Sequence, residues 1–379
     1  MNRPTFDMAD IVRLHLPTLK TIQPLTSEQA RALAAITLCR TAALGGHQNL
    51  CMDCGLLADQ SYNSCRNRNC PKCQALAQER WINARASAIL PIPHFHVVFT
   101  LPAEFRALAR AHPKEIYNAL FKCVSAALLE MARTRLGISL GLTTVLHTWT
   151  RELMLHPHIH VLVSAGGLTK GDRFKRAKEE FLLPRQPLAA LFKKKMLNAL
   201  RKLQEKSLFK MTKGAFGFLM ATLANQKWNV HLKKAFHNPA LVLKYLGRYT
   251  HRVGISNSRL MAVTPGQVTF RSKDGRSVTV HPIVFLQRFI QHVLPDGFKK
   301  IRHSGLYASP KALNKAKAYL GPLPAPLQPA PSWQEALKEL TGRDVTRCKA
   351  CGADLVQISI PADRPSSQRP RDPLPRCLP

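Results

Sequence analysis

The stretch Leu155-His156-Pro157-His158-Ile159-His160-Val161-Leu162-Val163 decides how the middle of this chain folds. In a strand, successive side chains point to opposite faces, so His158 and His160 share one face while Ile159 and Val161 enter the other, apolar layer. Two imidazoles on one face can chelate a single metal ion. A His-x-His pair is a common accident, and His147 is what gives this one weight. If 143–150 and 158–164 are strands of an antiparallel hairpin turning near 152–155, His147 lies across from His158 or His160, with opposed Cβ atoms about 4.5–5.5 Å apart. Three imidazoles, His147, His158 and His160, are then expected to converge on one divalent ion with coordination positions left open.

A second such motif, His94-Phe95-His96, also sits on a strand-like run, followed by Val97, Val98 and Phe99. It lacks a third histidine at hairpin distance, and His94 and His96 are assigned instead to a neighbouring strand. Strand-like runs at 95–101, 143–150 and 158–164 mix with helical ones at 103–136 and 188–208, a pattern that predicts an α+β domain around a sheet. Further on, 267–270 and 277–280 flank Asp274-Gly275, a hairpin signal.

Asn238-Pro239 reads as a helix start, and the following helix carries Tyr245 and Tyr249 before Gly254 ends it. Four residues apart, the two phenols share one face. Tyrosines at helical spacing usually just pack. Beside a metal site they acquire a chemical use, because a phenol of pKa about 10 attacks phosphate well only when a cation polarises the phosphate oxygens and positive charge eases loss of its proton. Arg248, His251 and Arg252 line the same helix and are candidates for that charge or for holding the phosphate.

The chain has 56 Lys and Arg against 22 Asp and Glu, a formal net charge of +34, which points to a polyanionic partner. No apolar run approaches the roughly 18 residues of a membrane span, and residues 1–20 lack the apolar core of a signal peptide. A cytoplasmic protein acting on nucleic acid is expected. Between Lys170 and Lys213 fourteen Lys and Arg stand against four Asp and Glu, including Lys193, Lys194 and Lys195, which are expected to touch backbone phosphates. There is no G-x-x-x-x-G-K-[ST] motif, so a nucleotide-driven motor has no support.

Ten cysteines in a reducing compartment are better metal ligands than disulfides. Cys51-x2-Cys54-x15-Cys70-x2-Cys73 has the spacing of a four-cysteine zinc site. A closed thiolate shell leaves no open position, so the Zn²⁺ would be structural. Cys39, His47 and Cys65 lie close enough to substitute for a ligand or to complete a second ion, and spacing does not choose between these. Arg66, Arg68 and Lys72, between the knuckles, are candidate DNA contacts. Cys348-x2-Cys351 has no evident partner pair; Cys377 or a nearby histidine would have to complete it. These features divide the chain into an N-terminal helical and zinc-binding module (1–90), a middle α+β domain (91–310), and a linker, C-terminal CxxC segment and proline-rich tail (311–379), with five prolines between Pro322 and Pro331 and six between Pro361 and Pro379.

Taken in order, Tyr62-Asn63-Ser64-Cys65 through Cys70-Pro71-Lys72-Cys73, His96-Val97-Val98-Phe99-Thr100-Leu101-Pro102, Leu146-His147-Thr148-Trp149, His156-Pro157-His158-Ile159-His160, the run Tyr245 to Arg252, and Ile301-Arg302-His303-Ser304-Gly305 make a specific set. From about Cys39 to Cys351 the chain resembles the HUH rolling-circle transposases of the insertion sequence 91 family. The resemblance implies an HUH endonuclease domain with a central antiparallel sheet flanked by helices, His158 and His160 as ligands of Mg²⁺ or Mn²⁺, and Tyr245 and Tyr249 as nucleophiles. It further implies nicking and joining of single-stranded DNA through a 5′-phosphotyrosine. Asn69 departs from the histidine expected in many relatives, and Thr150-Arg151 departs after Trp149, so ligation at 69 and substrate contacts at 150–151 are in doubt. The rivals are a plasmid replication initiator or relaxase with the same chemistry, and a non-catalytic zinc DNA-binding regulator.

Overall fold

The computed structural model describes residues 5–73, 78, 81–85, 88–178, 182–236, 247, 254–272, 274–321, 332, 334–335, 338–339, 342 and 344–363. The chain divides into two compact units, each discontinuous: Ala84–Thr250 with Leu294–Pro326, and Met1–Asn83 with His251–Val293 and Leu327–Pro379. The units do not follow the expected breaks at 90 and 310. A local reading of composition cannot see that the hairpin near 267–280 and the C-terminal CxxC segment return to the N-terminal module.

The N-terminal helices start on local caps. Asp7 accepts from Ala9 N–H to open α1 (Met8–Ile22), and Thr26 and Gln29 form a reciprocal capping box at α2 (Ser27–Leu38). Next come the short strands β1 (Gly46–Cys51) and β2 (Leu57–Tyr62). The strand β3 (His94–Thr100) then begins the larger unit and is followed by helices α3 (Phe105–Ala111) and α4 (Pro113–Leu136). Proline in the first turn and Gly137, at φ 72°, bracket α4. The long strands β4 (Ser139–Trp149) and β5 (Leu155–Leu168) form a hairpin, and β6 (Phe174–Arg176) pairs with the end of β5. Helices α5 (Arg185–Glu205) and α6 (Lys213–Asn225) lead to β7 (Val230–Phe236).

After the described residues resume at 254, β8 (Leu260–Val263), β9 (Val268–Arg271) and β10 (Ser277–Val280) make an antiparallel meander, which includes the hairpin expected around Asp274-Gly275. Helix α7 (Pro282–Ile290) packs back on α1, and Gln29 Nε2 donates to the Ile290 carbonyl. The strand β11 (Ile301–Gly305) and helix α8 (Pro310–Leu320) return to the larger unit, and β12 (Leu355–Ile360) pairs with β1 in the smaller one.

The central sheet has the order β11-β4-β5-β3-β7 and every neighbouring pair is antiparallel. Because side chains alternate, its two faces differ in kind. Phe95, Val97 and Phe99, together with Ile159, Val161, Val163, Leu142 and Leu146, belong to a core shared with α4 and α5. Phe99 meets Phe192 of α5 edge-on at 5.0 Å, and each fully buried side chain of this size contributes about 1.5–3 kcal/mol relative to an exposed one. The opposite face carries the histidines. Gly305, at φ 61°, ends β11 where a Cβ would lie 1.9 Å from the Leu140 carbonyl oxygen, so only glycine lets the chain turn there. Among the described residues no helix is long and apolar enough to cross a membrane.

Candidate functional site

The β4–β5 hairpin is tied by the turn at 150–154. Thr150 N–H donates to the Met154 carbonyl, the Thr150 hydroxyl accepts from Glu152 and Met154 N–H, and Leu153 sits at φ 62°. This turn sets the register His147↔His158 and Val145↔His160. The structure thereby brings His147, His158 and His160 onto one face, with one nitrogen of each within 4.8 Å of the others. Their ring centroids are 4.6–5.3 Å apart and the planes cross at 66–78°, so the rings present edges to a common point rather than stacking. His147 and His160 are buried and His158 is half-buried, which places the cluster at the edge of the core.

Neighbouring groups hold two of these rings. His158 Nδ1 donates to the His156 carbonyl at 2.7 Å, which leaves the Nε2 lone pair as its metal-binding site. His160 Nδ1 lies 2.9 Å from His96 Nε2, with the two rings stacked at 5.1 Å. Burial, then the nearby charge of Lys233, lowers the pKa of His96 to about 4, so it is neutral and its Nε2 can accept the His160 Nδ1 proton. His160 then offers Nε2, like His158. His147 stacks on Trp149 at 4.6 Å, and Lys300 lies over the Trp149 ring. His94, on the neighbouring strand as expected, has a different environment: fully buried, with a pKa lowered by burial to about 4, it accepts from the Tyr307 hydroxyl.

Alongside lies a cavity of about 200 Å³ lined by Thr100, Arg106, His156, Gln226, Lys227 and Asn229, among others. The His156 and His158 rings are 5.3 Å apart, so the cavity borders the histidine cluster. Arg106 Nε and Gln226 Nε2 are buried there with no acceptor among the described residues. Sequence reading missed both groups, because an arginine on a helix and a glutamine after one carry no motif.

Tyr245, Tyr249, Arg248 and Arg252 lie outside the described residues. Two of the three lysines expected to contact phosphate are otherwise engaged. Lys193 donates to the Ala224 and Gln226 carbonyls at the end of α6, and Lys195 pairs with Glu130 of α4 at 2.5 Å. A count of charges does not reveal such internal partners. Lys194, between them, is exposed. In the cysteine segment Lys72 pairs with Asp7, while Arg66 is exposed and Arg68 half-buried.

The expected grouping of Cys51, Cys54, Cys70 and Cys73 is corrected. The thiols form two separate sets, Cys39 with Cys65, Cys70 and Cys73, and Cys51 with Cys54, Cys348 and Cys351, each with sulfurs within 4.8 Å of one another. In the first set, hydrogen bonds from the other sulfurs, Cys39 foremost, hold the Cys73 thiol far below its ordinary pKa, and they raise those of Cys65 and Cys70. Thiols this close share their protons, and a metal ion that binds them releases those protons. In the second, backbone N–H groups of Cys351 and Ala350 lower Cys348 to about 6. His47 belongs to neither set; it pairs within the sheet of β1, β2 and β12.

A family model described as "Putative transposase" matches residues 141–315, which span the histidine hairpin and β11, and one described as "Transposase zinc-binding domain" matches residues 11–101. The chain is 37% identical over 385 residues to the "Putative transposase y4qJ" of Sinorhizobium fredii, covering 95% of this chain and 96% of that protein. It is 30% identical over 322 residues to the transposase for insertion sequence element IS801 of Pseudomonas savastanoi pv. phaseolicola, covering 78% and 74% respectively. No solved structure matches. A zinc-binding module joined to an α+β unit with antiparallel sheets, and likeness to these relatives over most of its length, show that the chain belongs to the insertion sequence 91 family of transposases.

Proposed function

We propose that this transposase nicks and rejoins single-stranded DNA by HUH chemistry, with Tyr245 and Tyr249 as nucleophiles and His147, His158 and His160 as ligands of a divalent metal ion. The observation that carries the reading is the convergence of three imidazole nitrogens within 4.8 Å on paired strands. The donor set fits such an ion: three neutral nitrogens cannot close its shell, and a DNA phosphate can fill the remaining positions. All-imidazole coordination favours Mn²⁺ over Mg²⁺, which prefers oxygen ligands. When bound, the metal would polarise a phosphate oxygen and stabilise the negative charge that builds on the phosphoryl oxygens.

The chain's own residues supply the rest. A tyrosine oxygen attacks phosphorus and loses its proton, and the bond from phosphorus to the 3′ oxygen breaks. A 5′-phosphotyrosine and a free 3′-hydroxyl result. Because one ester replaces another, the reverse attack by a hydroxyl rejoins the strand without ATP, in keeping with the missing motor motif. Two tyrosines allow two successive transfers, as rolling-circle transposition of a displaced strand requires.

The direct test is an oligonucleotide carrying the element end, incubated with Mn²⁺ or Mg²⁺. A covalent protein–DNA adduct that chelation prevents is the expected result, and tight binding without any adduct would turn the reading into that of a DNA-binding regulator. The cavity next to His156 adds a prediction about the substrate path. Arg106 and Gln226 present buried donors without acceptors among the described residues, and Lys227 adds charge, a combination suited to one backbone phosphate. Arg106→Ala is expected to weaken single-strand binding roughly tenfold and to flatten the slope of log K against log salt by about 0.7, the value for one phosphate contact on a single strand. An unchanged slope would route the strand elsewhere.

A further inference from the structure

Six cysteines fall within the residues matched as a transposase zinc-binding domain, and four of them, Cys39, Cys65, Cys70 and Cys73, already make a complete thiol set. Cys51 and Cys54 are left over. Their partners come from the far end of the chain, Cys348 and Cys351, across a sequence separation of about 300 residues. We propose that Cys51, Cys54, Cys348 and Cys351 bind a second structural Zn²⁺, which staples the C-terminal segment into the N-terminal module.

Two copies of one turn make this site. Cys51-Met52-Asp53-Cys54-Gly55 and Cys348-Lys349-Ala350-Cys351-Gly352 have the same pattern, with the glycines at φ 70° and 76°. In each, the glycine N–H donates to the carbonyl of the first cysteine at 3.0 Å. In each, the first cysteine's own N–H donates to the residue after that glycine, the Leu56 carbonyl at 3.0 Å and the Ala353 carbonyl at 2.8 Å. These are metal-knuckle turns: the backbone is already folded so that both sulfurs of a pair point to one side.

The two knuckles meet crosswise, Cys51 Sγ 3.4 Å from Cys351 Sγ and Cys54 Sγ 3.6 Å from Cys348 Sγ, with all four sulfurs within 4.8 Å. A tetrahedral ion with Zn–S bonds of about 2.3 Å needs sulfur–sulfur edges of roughly 3.8 Å, close to what is seen. Among the described residues the knuckles are otherwise joined by the sheet β12-β1-β2 and an exposed Lys349–Asp59 ion pair at 3.9 Å, and these hold them weakly. Strands β2 and β12 have no buried residue, and Val356 and Ile358 are exposed. A sheet this small needs a staple, and binding free energy of a structural zinc ion is folding free energy.

The purified full-length chain is expected to contain two zinc ions, and Cys348→Ser with Cys351→Ser to contain one. A wild-type content of one, or a double variant that still holds two, overturns the proposal. Alkylation of the unmutated protein gives a check that does not depend on a variant folding. Cys54 and Cys351 are exposed, so without a metal both thiols would react with iodoacetamide in the native chain. Protection of both, lost together when a zinc chelator is added, is expected; rapid labelling of either in the zinc-replete protein would overturn the second site. Neither measurement involves DNA cleavage, so its result is independent of the nuclease reading.

Discussion

Replacing His158 with alanine is expected to reduce metal-dependent cleavage of a single-stranded oligonucleotide by about a thousandfold, while folding and DNA binding persist. His158 is the half-buried member of the cluster, so its imidazole can be removed without opening a cavity in the core. The charge stabilisation lost with the ion is several kcal/mol, and about 4 kcal/mol corresponds to the thousandfold loss. His96 separates a ligand from a positioning residue. It is not one of the three grouped imidazoles but sits 2.9 Å from His160 Nδ1, where by accepting that proton it would leave Nε2 of His160 for the proposed metal. His96→Leu is therefore expected to raise the Mn²⁺ concentration for half-maximal cleavage about 10–100-fold, with the rate restored at saturating metal. His96→Gln, which keeps an amide at that place, should lose less. Undiminished cleavage in His158→Ala would remove the metal assignment altogether.

How far such a site can be read in advance depends on the range of the signal. The pairing of His147 with the His158–His160 strand was legible because it depends on a hairpin of a few turn residues and on the two-residue repeat of a strand, both local. The contact of His96 with His160 was not, because it depends on β3 lying beside β5 on the side away from β4, a choice of strand order that no local pattern records. The cysteines show the same limit. Spacing pairs Cys51 with Cys54 and Cys70 with Cys73, yet it says nothing about which other pair each one meets, and here Cys51 and Cys54 meet a pair at the opposite end of the chain. For the lysine triplet, charge and helical position were evident, whereas the acceptors at Glu130 and the end of α6 are tertiary facts.

Tyr245→Phe combined with Tyr249→Phe is expected to abolish the covalent protein–DNA adduct while leaving oligonucleotide affinity within about twofold, since phenylalanine keeps the ring and removes only the oxygen proposed as nucleophile. Both residues lie outside the described region, so their role rests on the helical spacing, on family membership and on the histidine cluster being a place where a phosphate could be activated. The single variants divide the work. If one tyrosine opens the element end and the other receives the second strand, each single variant should still form an adduct with a simple nicking substrate or fail completely, according to which acts first, and neither should complete a full strand transfer. If the two are interchangeable, both single variants should form adduct and only the double variant should lose it. An adduct that survives the double substitution would place the nucleophile elsewhere, and peptide mapping of the DNA-linked residue would then identify it.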